Sequence, residues 1–200
     1  MTGESIVTTH FQRLVIAHAW DGRPLPQAEH VSVTISLQGV GNRPAPDGQM
    51  VVSIDAPFFH DPAPPATTGD PRSYDELWNY EVVELFVGPR GDAPGAFPYL
   101  ELEFGPHGHA LGLVFSAYRQ KIRQVSVPGH AALRADRWRA QAIIAGELLP
   151  PPPWTLNAYC IHGAPSARQY GAAFPPGCSM APDFHDRGSW RESELSWPVD

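Results

Sequence analysis

Cysteine is scarce in this 200-residue sequence, which contains only Cys160 and Cys178. Two cysteines are too few for a disulfide framework, and their spacing is not that of a metal-binding pair. We therefore interpret both as reduced thiols, although one bridge between them is geometrically allowed.

Long apolar runs and clusters of basic residues are also absent. No window approaches the roughly 18 apolar residues of a membrane-spanning helix, and the opening MTGESIVTTH lacks the charge and hydrophobicity of a signal peptide. The 14 Lys and Arg residues are scattered and outnumbered by 21 Asp and Glu, for a net charge of −7. We expect a cytoplasmic protein without a membrane or nucleic-acid partner, and its oligomeric state stays open.

Recognised catalytic signatures are missing as well. The sequence has no G-x-S-x-G elbow, P-loop or dinucleotide-binding fingerprint. Glu101 and Glu103 would approach a glycoside from the same side, which does not suit a glycosidase. Cys160 and His162 are a possible nucleophile and base, but no third member is identifiable. Non-catalytic binding is therefore favoured over catalysis.

Proline and glycine are abundant, with 23 and 18 residues, and they separate short segments of alternating hydrophobicity. This pattern is typical of all-β proteins. About nine strands are indicated, and the clearest of these cover residues 31–37, 48–59, 77–89, 99–104, 110–118, 121–127, 137–145 and 155–162. The sequence predicts one antiparallel β-sandwich domain over residues 1–200, with residues 1–12 as a flexible extension or an edge strand.

The alternation also predicts which side chains enter the core. In YLELEF, Leu100, Leu102 and Phe104 point inward, while Tyr99, Glu101 and Glu103 share the other face. In RWRAQAIIA and VSVTISL the inward sets are again every second residue, and they comprise Trp138, Ala140, Ala142 and Ile144, and Val31, Val33, Ile35 and Leu37. The segment PHGH is expected to close a hairpin between the strands at 99–104 and 110–118.

The stretch LWNYEVVELFVGP places two carboxylates in an otherwise apolar strand. Alternation puts Glu84 with Val82 and Phe86 on one face, and Glu81 on the opposite face. Neighbouring strands present Glu101 and Glu103, another strand presents Arg139, and Trp78 lies just before the strand. An indole beside charged donors and acceptors suits a sugar. The alternative is a set of cross-strand salt bridges between these Glu and Arg residues.

Several segments resemble an uncharacterised protein family found in bacteria and animals. The resemblance rests on SIDAPFFHDPAPP, ELWNYEVVELFV, YLELEFGPHGHALGLVFS, LNAYCIHG and PDFH, in this order. It extends from about Ile16 to about Trp197. Members of that family have no established activity, so this resemblance leaves the function open.

The W-x5-E arrangement of Trp78 and Glu84, followed by YLELEFGPHG, is more distantly similar to family 9 carbohydrate-binding modules and their DOMON-like relatives. Those proteins are β-sandwiches that hold a sugar with a Trp, a Glu and a second Trp. The resemblance implies that Trp78 and Glu84 contact a ligand. The second Trp has no motif match, and Trp154 and Trp190 are its candidates.

Histidines suggest a different function, that of a metal-dependent enzyme. His107 and His109 lie two residues apart, and His162, Asp183 and His185 could join them to bind Zn²⁺ or Fe²⁺. The alternative is that these histidines make ordinary hydrogen bonds in turns and between strands. Asp55 and Asp61 could similarly bind Ca²⁺ or cap a turn. No cofactor is firmly predicted, and Ca²⁺ and Zn²⁺ are the candidates.

The hypothesis that we carry forward is non-catalytic binding of a small polyhydroxylated ligand, such as a carbohydrate. Its predicted ligand-binding residues are Trp78, Glu84, Glu101, Glu103 and Arg139. The alternative is the metal-dependent enzyme built on the His and Asp cluster.

Overall fold

The computed structural model describes residues 11–38, 48–66, 68–91, 98–177, 181–195 and 197. Residues 1–10, most of the predicted N-terminal extension, lie outside this part of the chain, as does Cys178. The described residues form thirteen strands, namely β1 (Phe11–Ile16), β2 (His18–Ala19), β3 (Val31–Gln38), β4 (Gln49–Pro57), β5 (Val82–Pro89), β6 (Tyr99–Phe104), β7 (Ala110–Ala117), β8 (Gln120–Val125), β9 (Gly129–Arg134), β10 (Arg137–Ala145), β11 (Trp154–His162), β12 (Gln169–Ala172) and β13 (Arg191–Glu192).

The strands form two antiparallel sheets. Sheet A has the order β1-β3-β4-β10-β9, and sheet B has the order β2-β12-β11-β5-β6-β7-β8, with β13 also paired to β11. The other elements in the described ranges are 3-10 turns of three residues, and no helix there is long and apolar enough to cross a membrane. The predicted antiparallel β-sandwich is confirmed.

The interior between the two sheets contains the side chains that alternation assigned to it. Leu100, Leu102 and Phe104 of β6 pack there with Trp138 and Ile144 of β10, all almost completely buried. The predicted hairpin also forms, since Phe104 pairs with Ala110 and Gly108 adopts the positive φ of +85° that the turn requires. Period-two patterning thus identified the faces of these strands correctly.

Strands β1, β2, β9, β12 and β13 were not predicted individually. Five of the six residues in GHAALR of β9 are polar or small, and all but one are exposed, so the segment has no apolar face to detect. Strands β1, β2, β12 and β13 are short or lie at a sheet edge, where apolar patterning is weak. Strand β5 begins only at Val82, because residues 77–79 form a 3-10 turn that carries Trp78.

Part of the outer face of sheet B, which points away from sheet A, is covered by residues 181–190, which we call the covering segment. Phe184 stacks on Tyr159 with ring centroids 4.0 Å apart, and Trp190 packs against Phe86 at 5.4 Å. Asn157 fixes this covering segment because its side chain donates to the Ser189 carbonyl at 3.1 Å. Every residue of β5 and β6 is consequently buried, on both faces of the sheet.

Candidate functional site

A pocket of about 470 Å³ opens on the outer face of sheet B, between the strands and the covering segment. Its floor comes from β5, β6, β7 and β11, and its walls come from the 77–79 turn, the residues after β7 and β11, and the 182–185 segment. The lining residues are Trp78, Asn79, Glu84, Glu101, Leu113, Phe115, Arg119, Lys121, Ile161, Arg168, Tyr170, Pro182, Phe184 and His185.

Strand register brings three carboxylates together at this floor. Glu84 of β5 pairs directly with Glu103 of β6, and Glu101 pairs with Phe86, so all three side chains leave the same face. One carboxylate oxygen from each lies within 4.8 Å of the others. Glu84 and Glu101 line the pocket, and Glu103, with 0% exposure, lies beside them below the surface. We call these three residues the Glu cluster.

The Glu cluster is not neutralised by basic side chains. No Lys or Arg of the described chain forms an ion pair with it, and apart from the contact between the Glu101 and Glu103 carboxyl groups themselves, neither oxygen of Glu103 nor Oε2 of Glu101 has a hydrogen-bond partner there. Burial raises the pKa of Glu84 well above its usual range, and the charge of Glu101 raises it further. Burial likewise raises the pKa of Glu103, with added repulsion from Glu84, and raises that of Glu101 to about 7. The salt-bridge alternative is therefore wrong for these three residues.

A chain of polar contacts through Tyr99 and His185 connects the covering segment to Glu101. The backbone N–H of Arg119 donates to the Tyr99 hydroxyl at 3.1 Å, and that hydroxyl lies 2.6 Å from Nδ1 of His185. Burial and the nearby Arg119 charge lower the pKa of His185 to about 4, so the ring is neutral near pH 7. We assign the tyrosine proton to the hydrogen bond with Nδ1, which places the imidazole hydrogen on Nε2. Nε2 faces Oε2 of Glu101 at 3.7 Å.

The pocket walls combine aromatic and cationic side chains. Trp78, Tyr170 and Phe184 supply apolar ring surface. Arg119 pairs with Asp183 at 2.9 Å, and Arg168 donates to the backbone carbonyls of the 79–80 turn, so both guanidinium groups are held in place. The pocket thus offers buried acceptors at its floor and fixed donors at its walls.

Arg139, predicted as a ligand-binding residue, lies outside this pocket. It belongs to β10 of sheet A, where its Nε lies 2.7 Å from Asp55 of the neighbouring strand. Neither candidate for the second Trp lines the pocket either. Trp154 is buried between the sheets, and Trp190, which belongs to the covering segment, is buried against Phe86 of sheet B. The prediction failed for Arg139 because a polar strand face does not reveal which of two sheets the strand joins.

The predicted His and Asp metal set does not assemble. Among the described residues, the side chains that are close enough to share a cation are those of the Glu cluster. His107 is exposed in the β6–β7 turn, His109 packs edge-on against Tyr74, and His162 stacks on Phe59 at 3.5 Å. Of the predicted set, His185 lines the pocket, and Asp183 lies beside it through its ion pair with Arg119.

The other predicted cation ligands and the nucleophile also have structural roles. Asp55 is held by Arg137 and Arg139, and Asp61 accepts the Gly163 N–H at 2.6 Å. Cys160 packs between the sheets, and burial raises the pKa of its thiol to about 12, which does not suit a nucleophile. Glu81 accepts the backbone N–H groups of Phe59 and Asp61.

Several pocket residues were missed by sequence reasoning, and those that matter most to the chemistry are Arg119, Arg168, Tyr170 and Phe184. Arg119 and Arg168 lie in turns and Tyr170 lies in the short strand β12, where little periodicity is available. Phe184 lies in the PDFH segment, which the resemblance had already singled out, and an aromatic residue between an Asp and a His was the signal available there.

The fold and pocket define an antiparallel β-sandwich protein with a carboxylate-floored pocket on one outer sheet face. A solved candidate carbohydrate-binding protein from Bacteroides uniformis ATCC 8492 is similar, with a TM-score of 0.58, 16% identity and coverage of 90% of this chain and 84% of that chain. A family 9 carbohydrate-binding module from Caldicellulosiruptor kristjanssonii in complex with cellotriose aligns with a TM-score of 0.38, too low to support an argument. The first likeness supports the fold.

Sequence comparison gives the family. UPF0462 protein C4orf33 of Homo sapiens is 36% identical over 177 residues, which span 85% of this chain and 81% of the human protein. Its Danio rerio homolog is 30% identical over 178 residues, or 85% of this chain and 82% of the homolog. No family model matches the sequence. The chain belongs to the UPF0462 family, which confirms the predicted resemblance to an uncharacterised family with animal members.

Proposed function

We propose that the pocket on sheet B binds a small polyhydroxylated ligand, of which a carbohydrate is the best chemical match. The observation that supports this most is that Glu84 and Glu101, both nearly fully buried, open onto a pocket of about 470 Å³ without any basic side chain neutralising them. Buried carboxylates are costly without partners, and ligand hydroxyl groups are donors that can satisfy them.

The pocket walls suit the other features of a sugar. An aromatic ring face such as that of Trp78 or Phe184 covers the apolar C–H side of a pyranose, and Arg119 and Arg168 can donate to hydroxyl oxygens. The volume falls within the range of small-molecule sites, at the size of one or two sugar rings. The Bacteroides protein of similar fold, described as a candidate carbohydrate-binding protein, adds support at the level of the fold.

The same geometry favours binding without hydrolysis. Glu84 and Glu101 project from adjacent strands of one sheet, and their oxygens lie within 4.8 Å of each other. Both therefore meet a ligand from the floor, whereas glycoside hydrolysis needs two carboxyl groups that flank the scissile bond. We expect no turnover of a bound sugar.

The direct test is calorimetric titration of the full chain with a panel of neutral, amino and acidic mono- to trisaccharides. At least one sugar is expected to bind, and Glu84→Gln, which keeps the side-chain shape but replaces a carboxyl oxygen with an amide NH2 that cannot accept, is expected to weaken it about tenfold or more. Each titration is run both with a chelator and with added Mg²⁺ and Ca²⁺, so that a cation requirement is not mistaken for an absence of binding.

The matched control is Glu192→Gln, since Glu192 is exposed and pairs with Arg90 at 2.8 Å, remote from the pocket lining. Its affinity should equal that of wild type. The proposal is contradicted if no sugar produces heat under either condition, or if Glu84→Gln and wild type bind with the same affinity.

A further inference from the structure

The Glu cluster contains buried oxygens that the fold itself leaves unsatisfied. Outside the contact between Glu101 and Glu103 themselves, both oxygens of Glu103 and Oε2 of Glu101 lack a hydrogen-bond partner in the described chain, and these two side chains are 0% and 4% exposed. Buried polar atoms are normally paired, and an unpaired group of this kind points to a bound water, proton or ion. These atoms lie within reach of Glu84, where a single small ion would contact all three carboxylates.

We propose that Glu84, Glu101 and Glu103 form a binding site for one hard divalent cation, of the Mg²⁺, Mn²⁺ or Ca²⁺ class. Three carboxylate oxygens within 4.8 Å of one another match the spacing of oxygens around a cation bound at about 2.0–2.6 Å. The site goes beyond the proposed sugar binding and does not depend on it.

The donor set determines the class of metal. All three ligands are carboxylates, which prefer hard cations, whereas Zn²⁺ and Fe²⁺ sites usually include imidazole or thiolate. His185 does not supply that nitrogen, because its Nδ1 accepts from Tyr99 and its Nε2 carries the hydrogen. This N–H faces Glu101, so His185 acts as a positioning residue for a carboxylate ligand.

The position of the cluster also gives the ion access and a place for further ligands. Glu84 and Glu101 line the pocket, so a cation between them meets the pocket solvent, and waters can complete its coordination as Mg²⁺ and Mn²⁺ require. The nearby positive groups have other partners, since Arg119 pairs with Asp183 and Lys121 lies 3.7 Å from Asp75. Repulsion of the ion by these groups is therefore reduced.

The test is a Mn²⁺ titration of chelator-stripped full chain, followed by electron paramagnetic resonance and made without any sugar. One saturable site is expected, with a dissociation constant below about 1 mM, competed by Mg²⁺ or Ca²⁺. Glu103→Gln should weaken Mn²⁺ binding at least about tenfold, while Glu192→Gln should leave it unchanged. A sugar titration that fails does not alter this result, so the two proposals fail separately.

A second measurement on the wild-type chain guards against a variant that does not fold. Bound Mn²⁺ broadens NMR signals nearby, so the Trp78 indole and the amides of β5 and β6 should be lost first, and those of β9 in sheet A should persist. Absence of saturable binding, broadening centred elsewhere, or a folded Glu103→Gln chain with wild-type affinity would overturn the proposal.

Discussion

Glu84 and Glu103 lie directly opposite each other across the β5–β6 pair, both buried and on the same face of sheet B. Like charges in this position destabilise a sheet, and neither side chain has an ion pair with a basic group in the described chain. Such an arrangement is typical of functional sites, where stability is given up for a ligand.

The first prediction concerns the pH dependence of stability in the chelator-treated protein. Burial raises the pKa of Glu101 to about 7, and raises the pKa values of Glu84 and Glu103, so the folded state favours their protonated forms. Protonation of these groups therefore contributes to the free energy of unfolding. This contribution is complete below the pKa of about 4.5 that a glutamate has in the unfolded chain, and it is lost as the pH rises through the folded-state pKa of Glu101, about 7, and beyond. Glu103→Gln removes one of the three acids. The free energy of unfolding of this variant, measured with urea and compared with that of wild type, should therefore become relatively larger from pH 5 to pH 8. A constant difference would contradict this.

The second prediction concerns the protonation of His185. Burial, reinforced by Arg119, lowers its pKa to about 4, below the value of about 6.5 for histidine in a model peptide. An NMR titration should therefore show a neutral ring with its hydrogen on Nε2 down to about pH 5. In Tyr99→Phe, which lacks the hydroxyl that faces Nδ1, this tautomer should no longer dominate. Titration of His185 near pH 6.5 in wild type would show that this chain of polar contacts is absent.

The third prediction uses two arginines as a matched pair. Arg119 lines the pocket, whereas Arg139 lies on sheet A and pairs with Asp55. Arg119→Ala should weaken sugar binding about fivefold or more, since a fixed donor and the anchor of Asp183 are lost together. Arg139→Ala should leave sugar affinity unchanged and cost at most about 1 kcal/mol of stability, as an exposed ion pair. Equal effects of the two variants on affinity would contradict the location of the site.

The fourth prediction concerns the covering segment. Asn157 is fully buried, and its amide donates to the carbonyls of Phe174 and Ser189 while its oxygen accepts the N–H of Phe174. Asn157→Ala should cost about 2–4 kcal/mol in urea unfolding, because several buried groups lose their partner. Hydrogen exchange of residues 183–190 should accelerate more than that of β10.

Gln169→Ala provides the comparison for this fourth prediction. Gln169 is exposed, and its amide contacts only the Ala167 carbonyl at 3.3 Å among the described residues. Its loss should change stability by no more than about 0.5 kcal/mol. If Asn157→Ala were equally mild, the covering segment would be held by its aromatic contacts alone.

Much of the sandwich could be predicted because strands such as β3 and β10 bury one face and expose or half-bury the other, which produces a clear alternation in sequence. The predicted limits of β6 and β10 coincide with the observed ones, and the inward sets in both strands are correct. Alternation also placed Glu101 and Glu103 on one face of β6, since a period of two requires it, whereas the register between β5 and β6 brings Glu84 to that face. Predicting the limits and inward faces of a strand requires only the spacing of residues within that strand.

The cover over that face could not be predicted in the same way. Residues 181–195 contain a single two-residue strand, so their position depends on Phe184, Trp190 and Ser189 meeting sheet B, which no local period reveals. The sheet to which Arg139 belongs is likewise set by strand pairing between distant segments. Sequence alone therefore identified the carboxylates but missed the pocket walls.

The most direct test of the central claim is chemical-shift mapping of the isotopically labelled full chain with the sugar that binds best in calorimetry. The account predicts that the Trp78 indole, the His185 ring and the amides of β5 and β6 shift with ligand, while β1, β3 and β9 of sheet A do not. Shifts confined to sheet A, or no shift at Trp78 and Glu84 with any sugar at saturation, would contradict it.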